Sequence, residues 1–105
     1  MNNFLTAIIG IVTFVSVLFL WKHNLLLLIL LICLAVILLL MNKSKQEIKI
    51  FFLCAFAGAT AEIFTIFFGV WVYKNPNFLN IPIWLFVLWG IASIFIIRLY
   101  LFFKE

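Results

Sequence analysis

Four long apolar segments are the feature that most limits how this chain can fold. They span residues 4–21, 25–41, 50–73 and 81–103, and the charged residues inside them are Glu62 and Arg98. A helix needs about 20 apolar residues to cross the hydrocarbon core of a bilayer. Inside lipid, every backbone polar group must be satisfied within a helix or a closed barrel, and these runs lack the alternation of barrel strands. The sequence therefore predicts an all-α integral membrane protein, a four-helix bundle.

The connections between these segments are short, so we expect a single transmembrane domain over residues 1–105 with no soluble domain. The first connection, Lys22-His23-Asn24, is interpreted as a helical hairpin. The rival, one helix over residues 4–41, would be about 57 Å long and would place Lys22 in hydrocarbon. Since no basic residue precedes the first segment and no small-residue cleavage site follows it, we expect it to remain as a span.

The lysines divide unequally between the two sides of the predicted bundle. Lys22 and Lys74 fall on one side, and the other side carries Lys43, Lys45, Lys49 and Lys104. Because loops rich in lysine and arginine stay in the cytoplasm, we expect a multi-pass cell-membrane protein with both termini cytoplasmic. The outer membrane interface would then hold an aromatic belt of Trp21, Trp71, Tyr73 and Trp84.

Small and hydroxyl residues predict which helices pack together. The second segment has no polar residue, so we expect it to be the most lipid-exposed. Small residues let membrane helices approach closely, and their spacing predicts that the first, third and fourth segments pack against one another. The predicted packing residues are Gly10, Thr13, Gly58, Gly69 and Gly90.

Glu62 and Arg98 form the predicted intramembrane polar site. Glu62 lies 12 residues into the third segment, near the middle of the membrane, where a carboxylate is costly. It is interpreted either as a proton or cation site, or as a neutral acid bonded to Thr13 or Ser93 of a neighbouring helix.

Arg98 lies near the cytoplasmic end of the fourth segment and has three interpretations. It could pair with Glu62, extend its side chain to the headgroup region, or bind an anionic lipid together with Lys45 and Lys104.

A tryptophan inside the fourth segment raises the question of a pocket. Trp89 lies deeper than the aromatic belt, so it either lines a ligand pocket or is an ordinary core or lipid-facing residue. The candidate pocket residues are Thr65, Trp71, Tyr73, Trp84, Trp89 and Ser93. Cys33 and Cys54 are interpreted as free, buried, inert thiols.

Missing motifs exclude several kinds of chemistry. The chain has no Asp, no paired carboxylates, and no motif for metal, nucleotide or acyl-transfer sites. We therefore expect no cofactor, no metal and no nucleic-acid partner.

Two aromatic motifs resemble those of a known group of proteins. Gly69-Val70-Trp71-Val72-Tyr73 and Pro82-Ile83-Trp84-Leu85, the latter followed by Trp89, resemble the G-x-W-x-Y and P-x-W-L-x-x-x-W pattern of uncharacterised small prokaryotic polytopic membrane proteins. That resemblance implies no activity. In size and number of spans the chain is similar to small multidrug-resistance transporters, although their membrane glutamate lies in the first span. Its tryptophans and tyrosines resemble those of small membrane carotenoid cyclases, without the acidic pairs.

These observations favour a non-enzymatic accessory or structural subunit, packing through the first, third and fourth segments. The alternative is a small proton-coupled transporter, expected to be dimeric, with Glu62 as the protonatable site. A more distant alternative is an isoprenoid- or lipid-modifying enzyme with Glu62 as general acid. The expected partners are the bilayer and either a second copy of the chain or a larger membrane complex.

Overall fold

The computed structural model describes residues 3–104, a stretch made almost entirely of four helices. They are α1 (Asn3–Leu20), α2 (Asn24–Asn42), α3 (Lys45–Phe67) and α4 (Leu85–Phe103). Each is long and apolar enough to cross a membrane, and no strand occurs among the described residues. The predicted all-α, four-helix membrane fold is confirmed. Residues 1, 2 and 105, which the predicted domain includes, lie outside the described part.

The third helix begins and ends earlier than predicted. Ser44 caps it, because its side-chain oxygen accepts a hydrogen bond of 3.3 Å from the backbone N–H of Glu47. The helix ends before Gly69, whose φ of 81° lies in the left-handed region that glycine adopts without strain. The backbone N–H groups of Gly69 and Val70 bond to the carbonyls of Ile66 and Thr65, the pattern of a Schellman motif.

Residues 68–84 form a non-helical segment that lies against the turn between α1 and α2. The side-chain amide of Asn75 donates to the backbone carbonyls of Trp21 and Lys22, at 3.2 and 2.9 Å. In return, the amide of Asn24 donates to the carbonyl of Asn75 at 3.0 Å, and the indole N–H of Trp84 donates to Asn24 at 3.0 Å. These reciprocal bonds attach the segment to the first hairpin.

The helices pack around α4, and the prediction that the first, third and fourth segments all pack against one another is wrong for the pair of α1 and α3. The α3–α4 pair is the most extensive, α4 also contacts α1 and α2, and α1 and α3 form no extended contact. The prediction that α2 is the most lipid-exposed helix is wrong, because 28% of α2 is buried against 22% of α1. Lipid tails are as apolar as leucine, so the absence of polar residues does not show which helix faces them. The buried residues of α2 are Leu27, Leu31, Leu34, Ala35 and Leu38. Cys33 of α2 is exposed and Cys54 of α3 is half-buried, so the expectation that both thiols are buried is wrong.

Three of the predicted packing glycines lie beneath aromatic rings of neighbouring helices. A Cβ atom added to any of them would lie within 2.2–2.6 Å of ring carbons. Gly69 differs, because it lies beyond the end of α3 and no described atom comes within 4 Å of the same position. Three of the glycines therefore leave room for an aromatic ring between two helices. Gly69 instead allows the turn that ends α3. The ring pairs are Gly10 with Phe95, Gly58 with Trp89, and Gly90 with Phe51.

Candidate functional site

The two ends of the bundle carry different polar chemistry. The terminal end, as we call it, contains the first turns of α1 and α3 and the last turns of α2 and α4. The loop end contains the α1–α2 turn and residues 68–84.

At the terminal end, Arg98 is buried, with only 2% of its surface exposed. Its Nε and Nη2 donate to the two carboxylate oxygens of Glu47 at 3.0 and 2.8 Å. Nη2 also donates to the carbonyl of Leu38 at 2.7 Å, and Nη1 donates to the hydroxyl of Thr6 at 2.9 Å and to the sulfur of Met41 at 3.6 Å. A guanidinium has five N–H donors, and all five are used. Residues from all four helices meet at this one side chain.

Glu47, the partner of Arg98, is held in place by residues next to it in sequence. The amide of Asn42 donates to one carboxylate oxygen at 3.3 Å, and Ser44 caps the helix turn on which Glu47 lies. The paired charges balance, and a two-bond guanidinium–carboxylate pair is the strongest geometry available to them. We therefore assign this cluster, the Arg98 network, a structural role.

The structure does not bring Arg98 and Glu62 together. Glu47 and Glu62 lie on the same helix, separated by about 22 Å along its axis, and Arg98 contacts the first of them. Nor does Arg98 reach the surface to bind lipid. Sequence reasoning missed Glu47 because it placed residues 42–49 in a loop. The available signal was the Ser44-x-x-Glu47 spacing, which is typical of a helix N-terminus.

Glu62 lies toward the loop end, not at the middle of a helix. It is five residues before the end of α3, about 8 Å along the axis. The hydroxyl of Tyr73 donates to its carboxylate at 2.7 Å, and Glu62 forms no ion pair within residues 3–104. Burial raises the pKa of Tyr73 above its usual value, and the hydrogen bond and charge of Glu62 act in the same direction. Tyr73 therefore stays a donor across the physiological pH range.

The hydroxyl residues expected to contact Glu62 or line a pocket bond within their own helices. Thr13 donates to the carbonyl of Ile9 at 2.8 Å, and Thr65 donates to that of Ala61 at 2.7 Å. Ser93 donates to the carbonyl of Gly90 at 2.7 Å. Such local bonds satisfy a hydroxyl inside a membrane helix without a partner helix.

A cleft of about 390 Å³ opens at the loop end. Of the predicted pocket residues, Tyr73 and Trp84 line it. Trp71 is exposed within the 68–84 segment, and Trp89 packs on Gly58 between α3 and α4. The cleft, which we call the loop-end cleft, is lined by Trp21, Val72, Tyr73, Lys74, Asn75, Pro82 and Trp84.

A second, apolar depression runs between α1 and α4. It consists of two adjoining cavities of about 400 and 600 Å³ that share Ala7 and Phe95. Together they extend along α1 from Asn3 to Phe14, about 16 Å on a helix axis. Nearly all of the lining is apolar, and we call this depression the α1–α4 groove.

Residues 6–101 match a family whose description is a protein of unknown function, DUF2878. The chain belongs to the DUF2878 family. The match covers both halves of the chain, whereas the aromatic motifs lie in the second half. It confirms an uncharacterised family and gives no activity. No curated protein and no solved structure matches the sequence.

Proposed function

We propose that this member of the DUF2878 family is a non-enzymatic accessory subunit that binds a transmembrane helix of a partner protein. The observation that carries the proposal is the α1–α4 groove, which is apolar and faces outward along the two helices. Its location would be the cell membrane with both termini in the cytoplasm, because the terminal end carries more lysines than the loop end.

The groove suits a helix because of what lines it. Ala7 and Ala92 leave room beside the larger walls of Phe14 and Phe95. Close packing against small residues is a main source of helix association in membranes, where the hydrophobic effect between helices is absent. The neighbouring guanidinium of Arg98 has no donor left to offer. The groove therefore favours an apolar helix over a charged ligand.

The double variant Ala7→Phe, Ala92→Phe is expected to prevent assembly while leaving the bundle folded. The new rings would fill the groove, whose space is empty in the monomer. The measurement is native mass spectrometry of protein extracted from its own membranes in mild detergent, scoring the fraction bound to a partner at fixed stoichiometry. We expect that fraction to fall at least tenfold.

The matched control is Ala57→Phe, which places one ring on the outward surface of α3. It should assemble as the unmodified chain does. Unchanged assembly of the groove-filled variant would refute the proposal, and so would an unmodified chain that is monomeric under these conditions. A homodimer that the groove variant disrupts would identify the partner as a second copy.

A second candidate function, proton-coupled transport, is favoured by Glu62. Its carboxylate lies on a spanning helix and is held by a neutral donor, Tyr73, rather than by a cation. Glu47, in contrast, is balanced by Arg98. A carboxylate without a counter-charge in a membrane helix is the group that proton coupling requires.

If the protein is a proton-coupled transporter, the Glu62→Gln variant is expected to show at least tenfold less pH-driven accumulation of tetraphenylphosphonium in proteoliposomes. Glutamine keeps the size and an acceptor for Tyr73 but cannot release a proton. Tyr73→Phe is the control, since it removes the hydrogen bond and leaves the carboxylate. Accumulation that is the same in Glu62→Gln and in the unmodified chain would exclude Glu62 as the coupling site.

A further inference from the structure

We propose that the loop-end cleft is a binding site for the phosphate headgroup of an anionic phospholipid. This inference is independent of the groove and of the partner proposed above, because the loop-end cleft and the α1–α4 groove share no lining residue.

The first reason for proposing an anionic ligand is that the lysines at the cleft have no carboxylate partner among the described residues. Lys74 lines the cleft, is exposed, and forms no salt bridge within residues 3–104. Lys22 does not line the cleft, but its ammonium lies 5.3 Å from the centroid of the Trp21 ring, which is a wall of the cleft. Phosphate is well bound by such ammonium groups as point charges. The cleft therefore has one lysine in its lining and a second lysine against one of its walls.

Glu62, the carboxylate that contacts a wall of the cleft, does not itself line the cleft. Glu62 accepts the hydroxyl of Tyr73, and this bond fixes the Tyr73 ring as a wall of the cleft. The charged groups of the loop end among the described residues are thus Lys22, Lys74 and Glu62, a net positive set. An anion is the complementary ligand.

The cleft is built before any ligand arrives. Asn75 bridges the 68–84 segment to the α1–α2 turn through two donated bonds, and Trp84 is fixed by its bond to Asn24. Groups that are already held in place lose little entropy when a ligand binds. The walls that carry Lys74 and Trp21 therefore keep their spacing.

The walls indicate a lipid rather than a free anion. Tryptophan and tyrosine rings prefer the headgroup level of a bilayer, and Trp21, Tyr73 and Trp84 all line this cleft beside the apolar Val72 and Pro82. A volume of about 390 Å³ is near the lower end of small-molecule sites. It suits a headgroup whose acyl chains remain in the bilayer.

The test is a titration of the protein with phosphatidylglycerol or phosphatidylcholine in mild detergent, with bound lipid counted by native mass spectrometry. We expect phosphatidylglycerol to bind more tightly, and Lys74→Gln to weaken it about fivefold, the effect of one lysine charge near an anionic surface. Lys104→Gln is the matched control, an exposed lysine at the opposite end of the bundle, and should leave the affinity unchanged.

Three outcomes would overturn the proposal. Equal affinity for the two lipids would show that the cleft does not recognise the anionic headgroup. Equal weakening by Lys74→Gln and Lys104→Gln would show general charge attraction instead of a site. Binding of glycerol 3-phosphate as tight as that of phosphatidylglycerol would assign the cleft to a soluble phosphate ester, not to a lipid.

Discussion

Replacing Glu47 with leucine is expected to lower the free energy of unfolding by about 3–5 kcal/mol, the usual cost of removing one partner from a buried ion pair. The change leaves the buried guanidinium of Arg98 without its counter-charge and with two N–H groups unbonded. It also loosens a point where residues of all four helices meet. Unfolding of the purified protein in mixed micelles, followed by circular dichroism as denaturing detergent is added, measures the effect.

The double variant Glu47→Leu, Arg98→Met provides the control, since it removes both charges together. Apolar replacement of a whole buried pair is often neutral or stabilising, so the double variant should be more stable than Glu47→Leu alone. Lys49→Leu, an exposed lysine on the same helix, should change little. If the double variant loses the sum of the two single effects, Arg98 and Glu47 do not act as a pair.

The second large effect is expected for Gly58→Leu, which should destabilise the protein by about 3 kcal/mol, at the upper end of the range for overpacked cores. Even a Cβ atom at this position would lie 2.2 Å from a ring carbon of Trp89. Because α3 and α4 form the most extensive helix pair, a side chain here separates the two helices over much of their length. The same detergent titration reports the loss.

A compensating change tests the geometry of that contact. Trp89→Ala in the Gly58→Leu background should recover much of the lost stability, because the leucine then occupies the space of the ring. Ala57, the residue next to Gly58, lies on the exposed surface of α3. The substitution Ala57→Leu should therefore be tolerated. Equal stability of Gly58→Leu and Ala57→Leu would show that the ring moves aside at no cost.

The number and type of helices could be predicted from sequence because lipid imposes one requirement on any spanning segment. The helix ends could not. Residues 68–73 are as apolar as the helix before them, yet Gly69 ends α3 and the chain turns back over the α1–α2 hairpin. Hydropathy measures transfer into an apolar medium and does not distinguish a helix from an apolar loop.

The polar contacts were harder to predict for the same reason. The sequence places Glu47 in a connection, so Glu62 is the one carboxylate inside the predicted spans that could pair with Arg98, and this pair is one of three interpretations of Arg98. In the structure, α3 begins directly after Ser44, and this places Glu47 beside Arg98. The partner of Glu62, Tyr73, could be found only once the 68–84 segment was known to fold back.

The order of residues in the Arg98 network has a consequence for how the chain is made. Thr6, Leu38 and Glu47 all precede Arg98 in the sequence, and synthesis proceeds from the N-terminus. Three helices are therefore complete before Arg98, the cation that pairs with Glu47, has been made. The Arg98 network can therefore close only after the fourth helix has been made, so its closure is a late step in folding.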